Sequence, residues 1–240
     1  MTRQDFERAC QLAEASTNTA GIGRLGEKSV HAVLKFAYEP HVANHEIPLG
    51  GYVADIVGES GVIEIQSRDL WRLAPKLQAF LEFCDVTVVH PLAAEEWIVR
   101  TDPDTGEVIR RKSPRKAIPF DILAELTPIR SLLHHPRFHI RLAVLQVERY
   151  DIARTGSRKK IHLDRRPLDF LEEICLDCAE DYRQIFPDMG SLPFTAAEFA
   201  KKAGRSVPLA RNALLTLLEL GLVSRAGKRG RLGLYQMIPH

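Results

Sequence analysis

The sequence predicts an α/β protein: a core running helix, three strands, helix, strand, with an added hairpin, followed by a smaller helical domain. Three observations predict it. Short runs with two-residue alternation fill residues 44–66. They lie between segments whose apolar residues recur at helical spacing. Near the C-terminus a helix, a glycine stop, a second helix and two strands around a basic turn follow in close order.

Taken in order, residues 3–16 read as a short helix with Phe6, Cys10, Leu12 and Ala13 loosely periodic. A stronger helix spans residues 25–38, with Val30, Val33 and Leu34 as its stripe and Pro40 as its stop. Glu27 shares that inward stripe, an unusual place for an acid. A strand over 44–48 precedes two strands, 51–57 and 62–66, joined by a tight polar turn. Side chains alternate faces along a strand, so Glu64 and Gln66 share one face and Ile63 and Ile65 the other. A hairpin brings Asp55 alongside Glu64. Carboxylates held close on rigid strands repel each other unless a cation lies between them.

A helix over 69–84 carries Leu70, Leu73, Leu77, Phe80 and Leu81 at helical spacing, and 86–90 is a β-branched strand. Residues 95–114 read as a hairpin whose second strand enters the basic cluster Arg110, Arg111, Lys112, Arg115, Lys116. A helix over 120–134 and a strand over 138–147 follow. The basic stretch 154–160 reads as a linker, dividing the chain into domains 1–160 and 161–240. The second domain is expected to begin as a helix with Leu168, Phe170, Leu171, Ile174 and Cys175 inward. Thr195 and Glu198 form a capping box, Gly204 a stop, and a second helix spans 207–220.

Composition narrows the function little. With 240 residues, 45% hydrophobic and 27% charged, the chain holds one large or two small cores. A net charge of +2 names no partner by itself. No run approaches the roughly 18 apolar residues of a membrane helix, and the polar N-terminus carries no visible secretory signal. Four cysteines, Cys10, Cys84, Cys175 and Cys178, are too few for a disulfide framework. A cytoplasmic, reduced protein without membrane contact is the expectation. Cys175 and Cys178 invite zinc, but a structural site needs four ligands; core cysteines in a helix are the plainer reading.

Glu27, Asp55, Glu64 and Gln66, on this order of elements, resemble the core of the PD-(D/E)XK nuclease superfamily, the restriction-endonuclease-like fold. The resemblance covers residues 20–92, and Glu64–Arg68 also looks like an uncharacterised bacterial group. It implies that Asp55, Glu64 and the carbonyl of Ile65 hold Mg²⁺ or Mn²⁺, with Glu27 as an outer or second-metal ligand. The family's lysine is Gln66 here. Glutamine hydrogen-bonds a water but carries no charge and is no base. In some members that lysine migrates to the following helix, where Lys76 stands. The implied activity is metal-dependent hydrolysis of DNA, with loss of catalysis and retained DNA binding as the degenerate form. A homodimer fits such folds, though the sequence carries no interface signature. The plainer reading makes Asp55 a turn cap and pairs Glu64 with Arg68 or Lys76.

The C-terminal elements resemble a winged helix-turn-helix, with residues 207–220 as recognition helix. Between Lys201 and Arg231 there are eight Lys or Arg against one acid, Glu219. Such charge suits phosphate contacts. Arg205, Arg211, Lys228, Arg229 and Arg231 are the expected DNA contacts there, and Arg110, Arg111 and Lys112 in the basic loop. The alternative function is a non-catalytic DNA-binding regulator or scaffold; solvated basic faces and protein-interaction modules are the plainer readings.

Overall fold

The computed structural model describes residues 1–19, 29–154 and 157–239, excluding the side chains of 17–19, 153–154 and 157–160. Glu27 therefore lies outside the described residues. The helices are α1 (Arg3–Thr19), α2 (Ser29–Tyr38), α3 (Ala74–Leu81), α4 (Ile122–Leu126), α5 (Ala196–Ala203) and α6 (Val207–Glu219). The strands are β1 (His45–Leu49), β2 (Tyr52–Gly58), β3 (Gly61–Ile65), β4 (Val86–Thr101), β5 (Val108–Lys112), β6 (Phe138–Arg154), β7 (Ser157–Leu176), β8 (Phe194–Thr195), β9 (Val223–Arg229) and β10 (Leu232–Met237). The protein is α/β. The order α2, β1, β2, β3, α3, β4 is the order expected for the core.

Seven strands form one sheet in the order β1-β2-β3-β4-β6-β7, with β5 paired to β4. A three-stranded sheet runs β8-β10-β9. The chain divides into two compact units. The first holds residues 1–66, 89–118 and 142–174; the second holds 67–88, 119–141 and 175–240. Their segments alternate along the chain, so the unit boundaries cut inside β4, β6 and β7. None of them lies at residue 160.

The first unit's core is built from apolar stripes chosen by helical and strand periods. Phe6, Ala9 and Ala13 of α1 and Val30, Val33 and Leu34 of α2 pack with Ile56, Ile63, Ile65, Ala143, Leu145 and Phe170. Burying each of the valine, leucine, isoleucine and phenylalanine side chains among them contributes about 1.5–3 kcal/mol. β7 anchors both helices: Ser29 Oγ donates to Asp164 (2.5 Å), Tyr38 to Glu173, and Arg3 to Asp169 (2.9 Å). The second unit centres on Phe199, whose ring lies 5.4 Å from Phe120 and 5.6 Å from Phe194. Thr216, fully buried, donates to the Leu123 carbonyl at 2.7 Å and ties α6 to α4.

Several local expectations need correction. Residues 157–176 form strand β7, not a helix. Leu168, Leu171 and Cys175 recur at helical spacing, yet β7 is the last strand of the sheet, where apolar alternation is weak. Leu168 and Leu171 are accordingly exposed, and Pro167 is tolerated because an edge strand leaves one row of amides unpaired. Cys175 and Cys178 are exposed rather than core. The strand at 86–90 does not stop but runs on as β4 through the first arm of the hairpin. The helix expected over 120–134 shortens to α4 followed by a 3-10 segment from Thr127, where Pro128 removes an amide. The capping box at Thr195 and Glu198 forms as expected, and Gly204 takes the left-handed conformation that ends α5.

Candidate metal site and nucleic-acid surfaces

β2 and β3 pair antiparallel with Ile56 opposite Ile63, Val57 opposite Val62, and Gly58 opposite Gly61. Gly61 closes the turn at φ 99°, a conformation costly for any residue with a Cβ. One step further along this register, Asp55 faces Glu64. There the side chains engage the opposite strand's backbone. The Asp55 amide donates to Glu64 Oε1 at 3.2 Å, and the Ile65 amide donates to Asp55 Oδ2 at 2.8 Å. Each carboxylate is thus fixed by the other's strand. Glu64 is only 2% exposed, while Asp55 is partly open. His31 of α2 reaches the same Asp55 Oδ2, at 3.2 Å through Nε2.

Gln66 follows directly. Its amide donates to the Val89 carbonyl at 3.0 Å, and its carbonyl accepts from His90 Nδ1 at 2.8 Å. A carbonyl only accepts, so His90 is protonated at Nδ1. Burial holds the His90 pKa down to about 4, against the opposing pull of the Gln66 carbonyl. Gln66 is therefore pinned to β4 through its main chain.

Asp55, Glu64, Ile65 and Gln66 come together in the first unit. Lys76 belongs to the second unit, where its ammonium lies 5.9 Å from the Phe80 ring centroid. Among the described residues no group of three or more His, Cys, Asp or Glu side chains has the arrangement of a metal site. His31 and His90 went unnoticed in the sequence. His31 had a signal: it stands four positions after Glu27 in the helix expected over 25–38, so the two would share a face. His90 had none, because only the pairing of β3 and β4 puts it against Gln66.

The eight basic candidates fall into two groups. Arg110 donates to Glu148 at 2.7 Å and lies 4.1 Å over the Trp97 ring. Lys112 pairs with Glu95 at 2.8 Å. Arg205 grips Asp121 through two bonds, 2.5 and 2.9 Å, and this partner holds its pKa above the usual value. Arg229 pairs with Glu198 at 2.8 Å. Arg111, Arg211, Lys228 and Arg231 are exposed and make no ion pair among the described residues. Lys228 and Arg231 flank the β9–β10 turn, where Gly230 adopts φ 63°. Arg225 of β9 is likewise exposed and was not foreseen.

A family model described as a domain of unknown function, DUF8091, matches residues 28–177. The match includes β1 to β7 with His31, Asp55, Glu64 and Gln66, and ends before α5. An uncharacterised protein of Treponema pallidum (strain Nichols) is 28% identical over 224 residues, covering 89% of this chain and 86% of that protein. No solved structure matches the chain.

Proposed function

The chain belongs to the DUF8091 family, and from its β2–β3 site we propose a metal-dependent DNA endonuclease of the PD-(D/E)XK kind. One observation carries the reading: Asp55 and Glu64 sit face to face on adjacent strands, each locked by an amide of the other's strand. Locked carboxylates form a preorganised oxygen site, and rigid placement is what metal-assisted hydrolysis needs.

The donor set fits a hard divalent cation. Mg²⁺ takes one or two carboxylates and completes its shell with water and substrate phosphate, so it needs no larger protein cage. Asp55, Glu64 and the Ile65 carbonyl are the residues that would hold it. Bound there, the ion would supply an activated water and neutralise phosphate charge. The chain's own contributions are positional. His31 braces Asp55 Oδ2. Gln66, pinned by Val89 and His90, offers an amide side chain that can orient a water without taking its proton. A turnover slower than that of a lysine-bearing site follows from that substitution.

A second reading has its own support. α5, the Gly204 turn, α6 and the β9–β10 hairpin follow the order of a winged helix-turn-helix. The exposed Arg211, Lys228 and Arg231, which make no ion pair among the described residues, lie on the helix and hairpin that would meet phosphates. In this reading the chain binds DNA without cutting it.

A Mn²⁺ titration followed by electron paramagnetic resonance tests the first reading without a substrate. Wild type should bind saturably and Asp55→Ala/Glu64→Ala should not. Equal behaviour of the two at millimolar metal would sink the metal site and leave the binding reading.

A further inference from the structure

The first unit holds a cleft of about 560 Å³, a size within the range of small-molecule sites. Its described lining comes from α1, α2, the 3-10 turn Val42–Asn44, β1 and β7, all in that unit. β1 and β7 are opposite ends of the sheet order. Both reach α2, through Glu46 to Lys35 and through Asp164 to Ser29. The sheet therefore curls round α2, and the cleft lies between its two edges. Much of the wall is apolar. Ala13 of α1 and Val33 of α2 line it from the core, while Val42 and Leu168 bring exposed apolar side chains from the β1 side and the β7 side.

A buried charge stands in this wall. Lys35 lines the cleft with its side chain 5% exposed, and a buried ammonium needs an anion. Glu46 provides one, with Oε1 3.0 Å from Nζ, but it is weakly held. Its own side chain is 55% exposed, and its backbone is left-handed at φ 55°, a costly conformation for a residue with a Cβ. The other charged residues of the described lining are Glu14 and Arg166. Both are exposed, and Arg166 is engaged with Asp164 at 3.6 Å and with the Tyr150 ring. Acids and bases are thus equal in number, but only Lys35 is shielded from water. An interaction with the shielded charge is the one least weakened by solvent.

We propose that this cleft binds a small amphipathic carboxylate. Its headgroup takes the Lys35 ammonium in place of Glu46, and its apolar body lies on Ala13, Val33, Val42 and Leu168. The displaced Glu46 returns to water, where it loses little because it is already more than half exposed. An inorganic anion would match the charge and leave the apolar wall bare. An amine would be repelled by Lys35, and a neutral apolar molecule would gain nothing from it. The site stands independently of the nuclease reading.

The test is isothermal titration of the full chain with sodium octanoate. Wild type should bind it saturably at one site. From butanoate to octanoate the affinity should rise about fourfold per added methylene, the yield of burying each one. Lys35→Met should weaken octanoate by roughly tenfold to a hundredfold, the range of one lost charge-assisted hydrogen bond. Methionine keeps the length and apolar stem, and replacing a buried ion pair by an apolar side chain often leaves stability intact; a thermal melt checks this. Should Lys35→Met fail to fold, Ala32→Phe fills the cleft from α2 and should abolish binding. Glu46→Gln removes the competing carboxylate and should tighten binding several-fold. Octanol should bind wild type as weakly as octanoate binds Lys35→Met. No saturable binding of octanoate, equal affinity for butanoate, or unchanged affinity in Lys35→Met overturns the site. Weaker binding in Glu46→Gln also overturns it, because Glu46 would then hold the ligand rather than compete with it.

Discussion

His90 is held neutral by burial, and that has a cost in acid. Its pKa falls from 6.5 to about 4 on folding, so the unfolded chain binds the proton first as pH drops. Stability from this group is complete above pH 6.5 and drains away between pH 6.5 and 4, by about 3 kcal/mol in all. Denaturant melts across that window should show a loss in wild type that His90→Asn lacks, since asparagine keeps a donor for the Gln66 carbonyl and does not titrate. At the neighbouring position, Gln66→Lys supplies the cation that glutamine cannot. Single-turnover cleavage should rise roughly tenfold or more, within the usual yield of acid–base assistance; no gain would mean the site does not use that position. Asp55, Glu64 and Gln66 were legible in the sequence because alternation and a short turn dictate their faces. The bonds from His31 to Asp55 and from His90 to Gln66 were not, because they cross between elements that only the fold brings together.

At the scale of elements, α5, α6 and the β9–β10 hairpin were readable because each end carries its own chemical signal. Thr195 and Glu198 cap α5, and Thr195→Ala should cost about 1 kcal/mol in thermal or chemical melts. What charge counting could not separate is which cations are engaged within the protein. Arg205 is committed to Asp121 and ties the start of α6 to the segment before α4. Asp121→Ala should destabilise the protein by about 1–3 kcal/mol, as expected for a partly buried, charge-assisted pair. On DNA the two classes of basic residue should part. Replacing both Lys228 and Arg231 with glutamine should lower the slope of log affinity against log salt by about 2. Arg205→Ala should cost stability and leave that slope alone. A slope that follows Arg205 instead would reverse the assignment.

Across the whole molecule, the two units interleave along the chain. β7 supplies Asp164, Phe170 and Glu173, which hold α1 and α2. A fragment of residues 1–160 removes those anchors and should lack a cooperative transition and a dispersed amide spectrum, both present in the full chain. A folded 1–160 fragment would mean that β7 adds little to the first unit. The sequence by itself determined the α/β class, the order of elements from α2 to β4, the β2–β3 hairpin and the capped helix α5 with α6 after it. Those depend on local period, turn residues and caps, which act within a few positions. Only the tertiary structure decided that 157–176 is a strand, that β4 runs unbroken to Thr101, and that the units alternate along the chain. An edge strand has its partner on one side, so its own apolar pattern is weak. Its state follows from hydrogen bonds to β6, a long-range pairing that no window of sequence contains.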